Sequence, residues 1–290
     1  MSKNICLITN YNYARFLSEC IDSVVLQTKP FDKIIIIDDG STDNSSEIIH
    51  FYQSQYPNIF AHFKKNQGQL SCFNFALNFI DPSDRIYFLD SDDIYPIDYL
   101  ESISALPTSN CHFTYCQDIQ FSNDPPSSSK LDVASQGDLM ENTTELAKLC
   151  QCWFGGPTSC ISISGSLYHR LFPFPFEEEW RSRADDVIVF ATSILGYKKK
   201  FYPSIGVGYR NHGNNSFLNK EQPLDQLHKR QLAFSNIVEW YYDQSNDGFL
   251  LSLKNIFTEY LSLSKEQRSR HAVPSPAKIF RRYVISLLKG

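Results

Sequence analysis

Short apolar runs alternate with helix-spaced apolar positions along the first hundred residues of the chain. Residues 5–9 form an apolar run, and after a turn Phe16, Leu17, Cys20, Ile21 and Val24 fall on one helical face. Residues 33–37 place four consecutive isoleucines ahead of Asp38-Asp39-Gly40-Ser41, as expected of a strand buried on both faces in a parallel sheet. A second helix follows, with Asn44 and Glu47 at capping-box spacing before Ile48, Ile49 and Tyr52. Residues 59–63 predict a third strand, and Leu70, Phe73, Leu77 and Ile80 mark one face of a third helix. Residues 85–89 predict a fourth strand, which ends in Asp90-Ser91-Asp92-Asp93. The order β-α-β-α-β-α-β implies a parallel α/β sheet with right-handed crossovers, where ligands lie beyond the carboxyl ends of the strands.

After Cys116 the alternation fades, and residues 122–138, rich in Pro and Ser, read as a long surface loop. Mixed elements return over residues 142–219, including a helix over 184–195 with Val187, Phe190, Ala191 and Ile194 inward; from about residue 220 the pattern is helical. A chain of 290 residues, 42% hydrophobic, holds one large core with an appendage. The expected organisation is a catalytic domain over 1–219, with halves 1–116 and 117–219, and a helical extension over 220–290.

Charge changes this picture at one end. The net charge of -5 argues against a general nucleic-acid partner, but residues 264–290 carry seven Lys or Arg against one Glu, so a +6 tail follows a -11 body. The eight cysteines include Cys6, Cys72 and Cys160 inside apolar runs, with no C-x-x-C pair, which favours buried free thiols and a reducing compartment. No stretch of about 18 apolar residues occurs. The expectation is a cytoplasmic protein, or one attached only to a membrane surface.

A parallel sheet would bring Asp38/Asp39 and Asp90/Asp92/Asp93 to one edge despite the intervening residues. Converging carboxylates repel, and hard oxygen ligands suit Mg²⁺ or Mn²⁺ holding a diphosphate. Acids at helix starts can also be plain caps. That reading fits Asp43, Asp98 and Asp38, whereas Asp39, Asp90 and Asp92 together point to function.

The segments Ile5-Cys6-Leu7-Ile8-Thr9-Asn10-Tyr11-Asn12, Ile36-Ile37-Asp38-Asp39-Gly40-Ser41-Thr42-Asp43 and Phe88-Leu89-Asp90-Ser91-Asp92-Asp93, in this order and spacing, resemble glycosyltransferase family 2, with the GT-A fold. With later matches the resemblance spans about residues 5–216. It implies that Thr9 and Asp39 contact the nucleoside, that Asp90 faces the ribose, that Asp92 ligates a divalent metal, and that Asn10, Tyr11 and Ser91 belong to the donor site. The family's glycine-containing segment is Asn66-Gln67-Gly68-Gln69-Leu70-Ser71-Cys72-Phe73-Asn74, which adds Gly68 and Gln69 to the donor residues. Phe73 stands where many relatives have Arg. In Ala184-Asp185-Asp186 the resemblance implies that Asp186 is the base, with Asp185 beside it toward the acceptor. Gly156 and Thr158, in Gly155-Gly156-Pro157-Thr158-Ser159, are implied below the acceptor. Arg210, His212 and Ser216, in the segment from Tyr209 to Ser216, are implied near the diphosphate or the metal.

The function so expected is inverting, metal-assisted transfer of a sugar from a nucleotide-sugar donor, a UDP-sugar favoured, to a hydroxyl of a glycan or lipid-linked glycan. One carboxylate takes the acceptor proton while the metal stabilises the departing diphosphate. A sugar-nucleotide pyrophosphorylase is the nearest enzymatic rival, but it needs a glycine-rich basic loop where this chain has Thr9-Asn10-Tyr11-Asn12. An inactive binding protein on the same scaffold is the other. The basic tail, with Lys278, Arg281, Arg282 and Lys289 beside Phe280, Val284, Leu287 and Leu288, reads either as an amphipathic segment for an anionic membrane or as a terminal helix packed on the body.

Overall fold

The structure is a computed structural model that describes residues 2–107, 111–132, 137–213, 224–242, 244 and 251–288. Eight strands form one sheet: β1 (Asn4–Asn10), β2 (Lys33–Asp38), β3 (Ile59–Phe63), β4 (Arg85–Asp90), β5 (Phe113–Phe121), β6 (Asp138–Met140), β7 (Ile161–Ser164) and β8 (Lys199–Arg210), in the order β3-β2-β1-β4-β7-β5-β8-β6. The half β3-β2-β1-β4 is parallel throughout; β7 enters antiparallel between β4 and β5, and β6 closes the far edge antiparallel to β8. Helices α1 (Ala14–Val25), α2 (Ser45–Gln55), α3 (Gln69–Ala76) and α4 (Tyr99–Ser104) belong to this first half. They are followed by α5 (Thr144–Cys150), α6 (Gly165–Leu171), α7 (Ala184–Ile194), α8 (Leu224–Tyr242), α9 (Leu253–Ser262), α10 (Lys265–Arg270) and α11 (Pro276–Leu287).

The isoleucine run of β2 does what its pattern predicts. Ile35 and Ile37 enter one core with Ile5 and Leu7, while Ile34 and Ile36 enter the core on the opposite face with Cys6 and Ile8. All four isoleucines are fully buried, each worth about 1.5–3 kcal/mol relative to exposure. This burial fixes the strand register and so the height at which the acid clusters emerge. Leu17, Cys20, Ile21 and Val24 make the buried stripe of α1, as their spacing predicts. The first core also takes in Phe234, Ile237 and Tyr241 of α8, Ile256 of α9 and Ile279 of α11, so the C-terminal helices share one interior with the sheet.

Three local expectations are corrected. Asn44 makes no side-chain cap; Asp43, one residue earlier, accepts from Ser45 N (3.1 Å) and Ala14 N (2.9 Å), serving the first turns of α2 and α1 together. The third helix stops at Ala76 and continues only as a 3₁₀ turn over Leu77–Phe79. Asp98 does not cap α4, because its carboxylate takes Ser129 N (2.6 Å) and Ser128 Oγ (2.8 Å) and so ties down the Pro/Ser-rich loop. All eight cysteines are buried and free of disulfides, and among the described residues no helix is long and apolar enough to cross a membrane.

Candidate active site

The chain turns from one side of β1 to the other between β3 and β4, so the topological switch point lies between β1 and β4, where open α/β sheets bind ligands. Thr9 is paired there with Asp90, and Asn10 with Asp38. Over these carboxyl ends lies a cleft of about 510 Å³, lined among others by Thr9, Asn10, Tyr11, Asp39, Gly68, Gln69, Asp90, Ser91, Asp92, Thr158 and Asp185.

The two acids after β2 divide their work. Asp38 accepts from Asn10 Nδ2 (2.7 Å), Ser41 Oγ (2.7 Å) and Ser41 N (2.8 Å), which makes it the brace of its own turn. Asp39 faces the cleft but also holds the segment after β3, accepting from Lys64 Nζ (2.5 Å), Gly68 N (2.7 Å) and Gln67 N (3.1 Å). Lys64 is thus a site residue that the sequence reading passed over, since nothing in its neighbourhood marks the 25-residue separation as a contact.

The acids after β4 are fixed by a small network. Ser159 Oγ accepts Asp90 N (3.0 Å) and donates to Asp93 Oδ2 (2.5 Å), while Asp93 Oδ1 accepts Arg210 N (2.9 Å). Burial pushes the Asp90 carboxyl up to about 8, helped by the charges of Asp92 and Asp185 and opposed by hydrogen bonds from Thr158 and Gln69. Asp93 is raised well above the carboxylate range, again by burial first and then by Asp92 and Asp90. The same burial and charges push Tyr13, on the cleft wall, up to about 12. Without a cation these crowded carboxyls are held toward their neutral forms, and a bound cation would favour their ionisation.

Asp92 and His212 meet at 2.9 Å between Oδ2 and Nε2, and Arg15 lies 3.1 Å from His212 Nδ1. Among the described residues no group of three or more His, Cys, Asp and Glu converges as a complete cage. Mg²⁺ and Mn²⁺ commonly take one or two protein ligands and complete their shell with phosphate and water, and Asp92 with His212 fits that use.

Gln69 ties the two halves of the cleft together. Its Nε2 donates to Asp90 Oδ1 (2.7 Å) and lies 3.4 Å from Thr9 Oγ1, its Oε1 accepts Ala184 N (3.3 Å) at the start of α7, and its backbone amide donates to Arg181 O (2.8 Å). Asp185 on that helix lines the cleft, and its carboxyl is pushed up to about 7 by burial and then by the charge of Asp186, against the pull of Arg183 and Arg230.

Two expected site residues face elsewhere. Asp186 is fully buried and turned inward, its oxygens taken by Arg183 (2.9 Å) and Arg230 (2.9 Å), because successive residues of a helix point about 100° apart. Arg210, like His212, is not among the residues lining the cleft; its guanidinium is bonded to Asp92 O (2.8 Å) and Glu19 (2.5 Å) and lies between Phe16 and Phe121. Gly156 lies beneath the wall, against Tyr115 and Cys160, and Ser216 is outside the described residues. Trp153, Pro157, Arg181 and Arg183 also line the cleft, with no role assigned to them from the sequence.

A parallel half that delivers acid clusters to a switch-point cleft, joined to a mixed half that delivers a further acid from a helix start, is the architecture of a GT-A glycosyltransferase. The family model described as glycosyl transferase family 2 matches residues 5–202, and the chain belongs to this family. It is 34% identical over 241 residues to a protein of Nostoc sp. described as an uncharacterized glycosyltransferase, covering 81% of this chain and 73% of that one. In fold it is similar to the crystal structure of S. aureus TarS 1–349 in complex with UDP-GlcNAc (TM-score 0.61, 17% identity, 92% of this chain and 74% of that one). It is also similar to the mannosyltransferase PcManGT from Pyrobaculum calidifontis in complex with GDP-Man and Mn²⁺ (TM-score 0.53, 15% identity, 98% and 87%). The pyrophosphorylase alternative falls away with the family match.

Proposed function

We propose that this enzyme moves a sugar from a nucleoside-diphosphate sugar, a UDP-sugar in first place, to a hydroxyl of a glycan or lipid-linked glycan with inversion at the anomeric carbon. The observation that carries the reading is the convergence of Asp90, Asp92 and Asp185 on one cleft at the switch point. Thr9, Asn10, Tyr11, Asp39 and Gly68 form the nucleoside end, and Asp90 and Ser91 meet the ribose. Asp92 and His212 would hold a divalent ion, Mn²⁺ or Mg²⁺, which when bound neutralises charge on the leaving diphosphate.

Asp185 is the base in this reading. It faces the cleft, and a carboxyl raised to about 7 by burial is matched to taking a proton from a hydroxyl near neutral pH. A single carboxylate assisting direct displacement gives inversion. Thr158 lies on the acceptor side of the same wall, with Gly156 supporting it from below.

In the same reading a membrane surface that carries the acceptor is met by α11. Ile279 and Tyr283 turn toward the core, whereas Phe280, Leu287 and Leu288 are 51%, 62% and 82% exposed, beside the exposed cations Lys278 and Arg281. An apolar stripe bordered by positive charge suits anionic lipid.

A thermal-shift panel of nucleotide sugars with and without Mn²⁺, followed by release of nucleoside diphosphate, tests the donor reading. Stabilisation by one UDP-sugar that requires the metal is expected. A panel in which no nucleotide sugar stabilises the protein or is turned over, with either metal, would sink it.

A further inference from the structure

Arg230 belongs to α8, which lies beyond the residues matched by the family model. It reaches back across 44 residues to Asp186 in the first turn of α7. The contact is part of a helix pairing and not an isolated reach. One turn further along each helix Phe190 packs edge-to-face on Phe234 with ring centres 4.8 Å apart, so Asp186/Phe190 and Arg230/Phe234 form matched i, i+4 pairs. Asp186 is fully buried, and its two oxygens are divided between Arg183 and Arg230.

We propose that Arg230 is a positioning residue for transfer: by sharing Asp186 with Arg183 it holds the second acid of the pair inward and leaves Asp185 as the one carboxylate of the pair facing the cleft. This rests on the reading of Asp185 as the base. A buried carboxylate keeps its place only while its charge is compensated. With one cation removed, Asp186 would be under-compensated, and its charge would act more strongly on Asp185 next to it.

Among the described residues, the charged groups that act on Asp185 are Asp186 and Arg183 on its own segment, Arg230 from α8 and Asp90 from β4. From the other elements packed on α7, α3 brings no charged residue, and α6 directs His169 to Ile80 O and Arg170 to Gln244 O. Lys148 of α5 lies over the Tyr242 ring and, with burial, acts on Glu145 of the same helix. Lys199 of β8 bonds the carbonyl of Val189, midway along α7. The sign follows from this set: the two arginines lower the Asp185 carboxyl, so loss of Arg230 raises it. A base works deprotonated, so the acid side of the rate profile then moves to higher pH.

The test uses the full chain, Mn²⁺ and the UDP-sugar selected by the thermal-shift panel, with UDP release followed between about pH 5 and pH 9. Arg230→Met should move the acid limb of kcat upward by about 0.5–1 unit, with donor KM changed less than about twofold. Arg230→Lys should restore the wild-type limb. If the Met variant does not fold, Arg230→Gln, which keeps a hydrogen-bond donor without the charge, should show the same displacement. An acid limb unmoved in both neutral variants, or turnover that rises when Asp186 is released, overturns the positioning role. Asp185→Asn separates the two readings: retained turnover there sinks the base assignment itself, whereas lost turnover together with an unmoved limb at position 230 sinks only the inference about Arg230.

Discussion

Gly68 and Arg181 touch backbone to backbone across the cleft: a Cβ added at Gly68 would stand 2.8 Å from the Arg181 carbonyl oxygen and closer still to its Cα. Gly68 also has φ +93°, which non-glycine residues rarely adopt, and its amide is one of the donors that hold Asp39. Gly68→Ala should therefore push the 181–185 segment away, lose about 1–3 kcal/mol of stability and reduce kcat/KM by roughly tenfold or more. Thermal unfolding and steady-state kinetics check this. A variant with unchanged melting temperature and turnover would show that the two walls move independently.

Removing the carboxylate proposed to hold the metal should separate donor binding from folding. Asp92→Asn keeps the size of the side chain while discarding the charge opposite His212, so Mn²⁺-dependent stabilisation by UDP should vanish while the far-UV spectrum stays native. Metal-dependent turnover that persists undiminished would rule Asp92 out as a ligand.

The acid sensitivity of the fold should depend on His271. Its Nδ1–H donates to Trp153 O (2.9 Å), so Nε2 accepts from the Tyr115 hydroxyl (2.8 Å), and burial lowers the group to about 4. The unfolded chain takes up this proton near its ordinary value of about 6.5 while the folded chain resists it. Stability from this group is thus full above that value and declines as pH falls toward about 4. His271→Gln should flatten the fall in melting temperature between those limits; an equally steep fall in the variant would assign acid sensitivity to other groups.

The α11 surface predicts electrostatic lipid binding. The intact chain should co-sediment with anionic vesicles at low salt, less at high salt, and little with neutral vesicles. A chain ending at Ser275, or one with Phe280→Ser and Leu287→Ser, should bind weakly. Self-association of the intact chain without any lipid binding would reassign the stripe to a contact between copies.

The parallel half was legible because burial on both faces leaves uninterrupted apolar runs such as Ile34 to Ile37 and Ile86 to Leu89, both closed abruptly by acids. The mixed half was not: β7 has four residues and β6 three, too short for any periodicity to register. Within the site, local motifs placed Asp39, Asp90 and Asp92 on the cleft. They could not place Asp186 or Arg210, whose orientations are decided by partners far away in sequence, Arg230 for one and Glu19 for the other. A motif specifies which residues stand near a site; the direction of each side chain is set by the tertiary neighbours that receive its charge.

The interior shared between the sheet and α8, α9 and α11 separates two kinds of boundary that are easily equated. The family model's match ends at residue 202, yet the cohesive unit does not, because Phe234, Ile237, Tyr241, Ile256 and Ile279 join the same core as Ile35 and Phe88. A fragment cut at the edge of the family match would carry every motif acid after β2, β4 and the start of α7 but would leave an apolar wall open to water. The helices beyond such a match are then part of what any transplanted catalytic module must take with it, and exchanging the tails of two relatives amounts to exchanging one wall of a core.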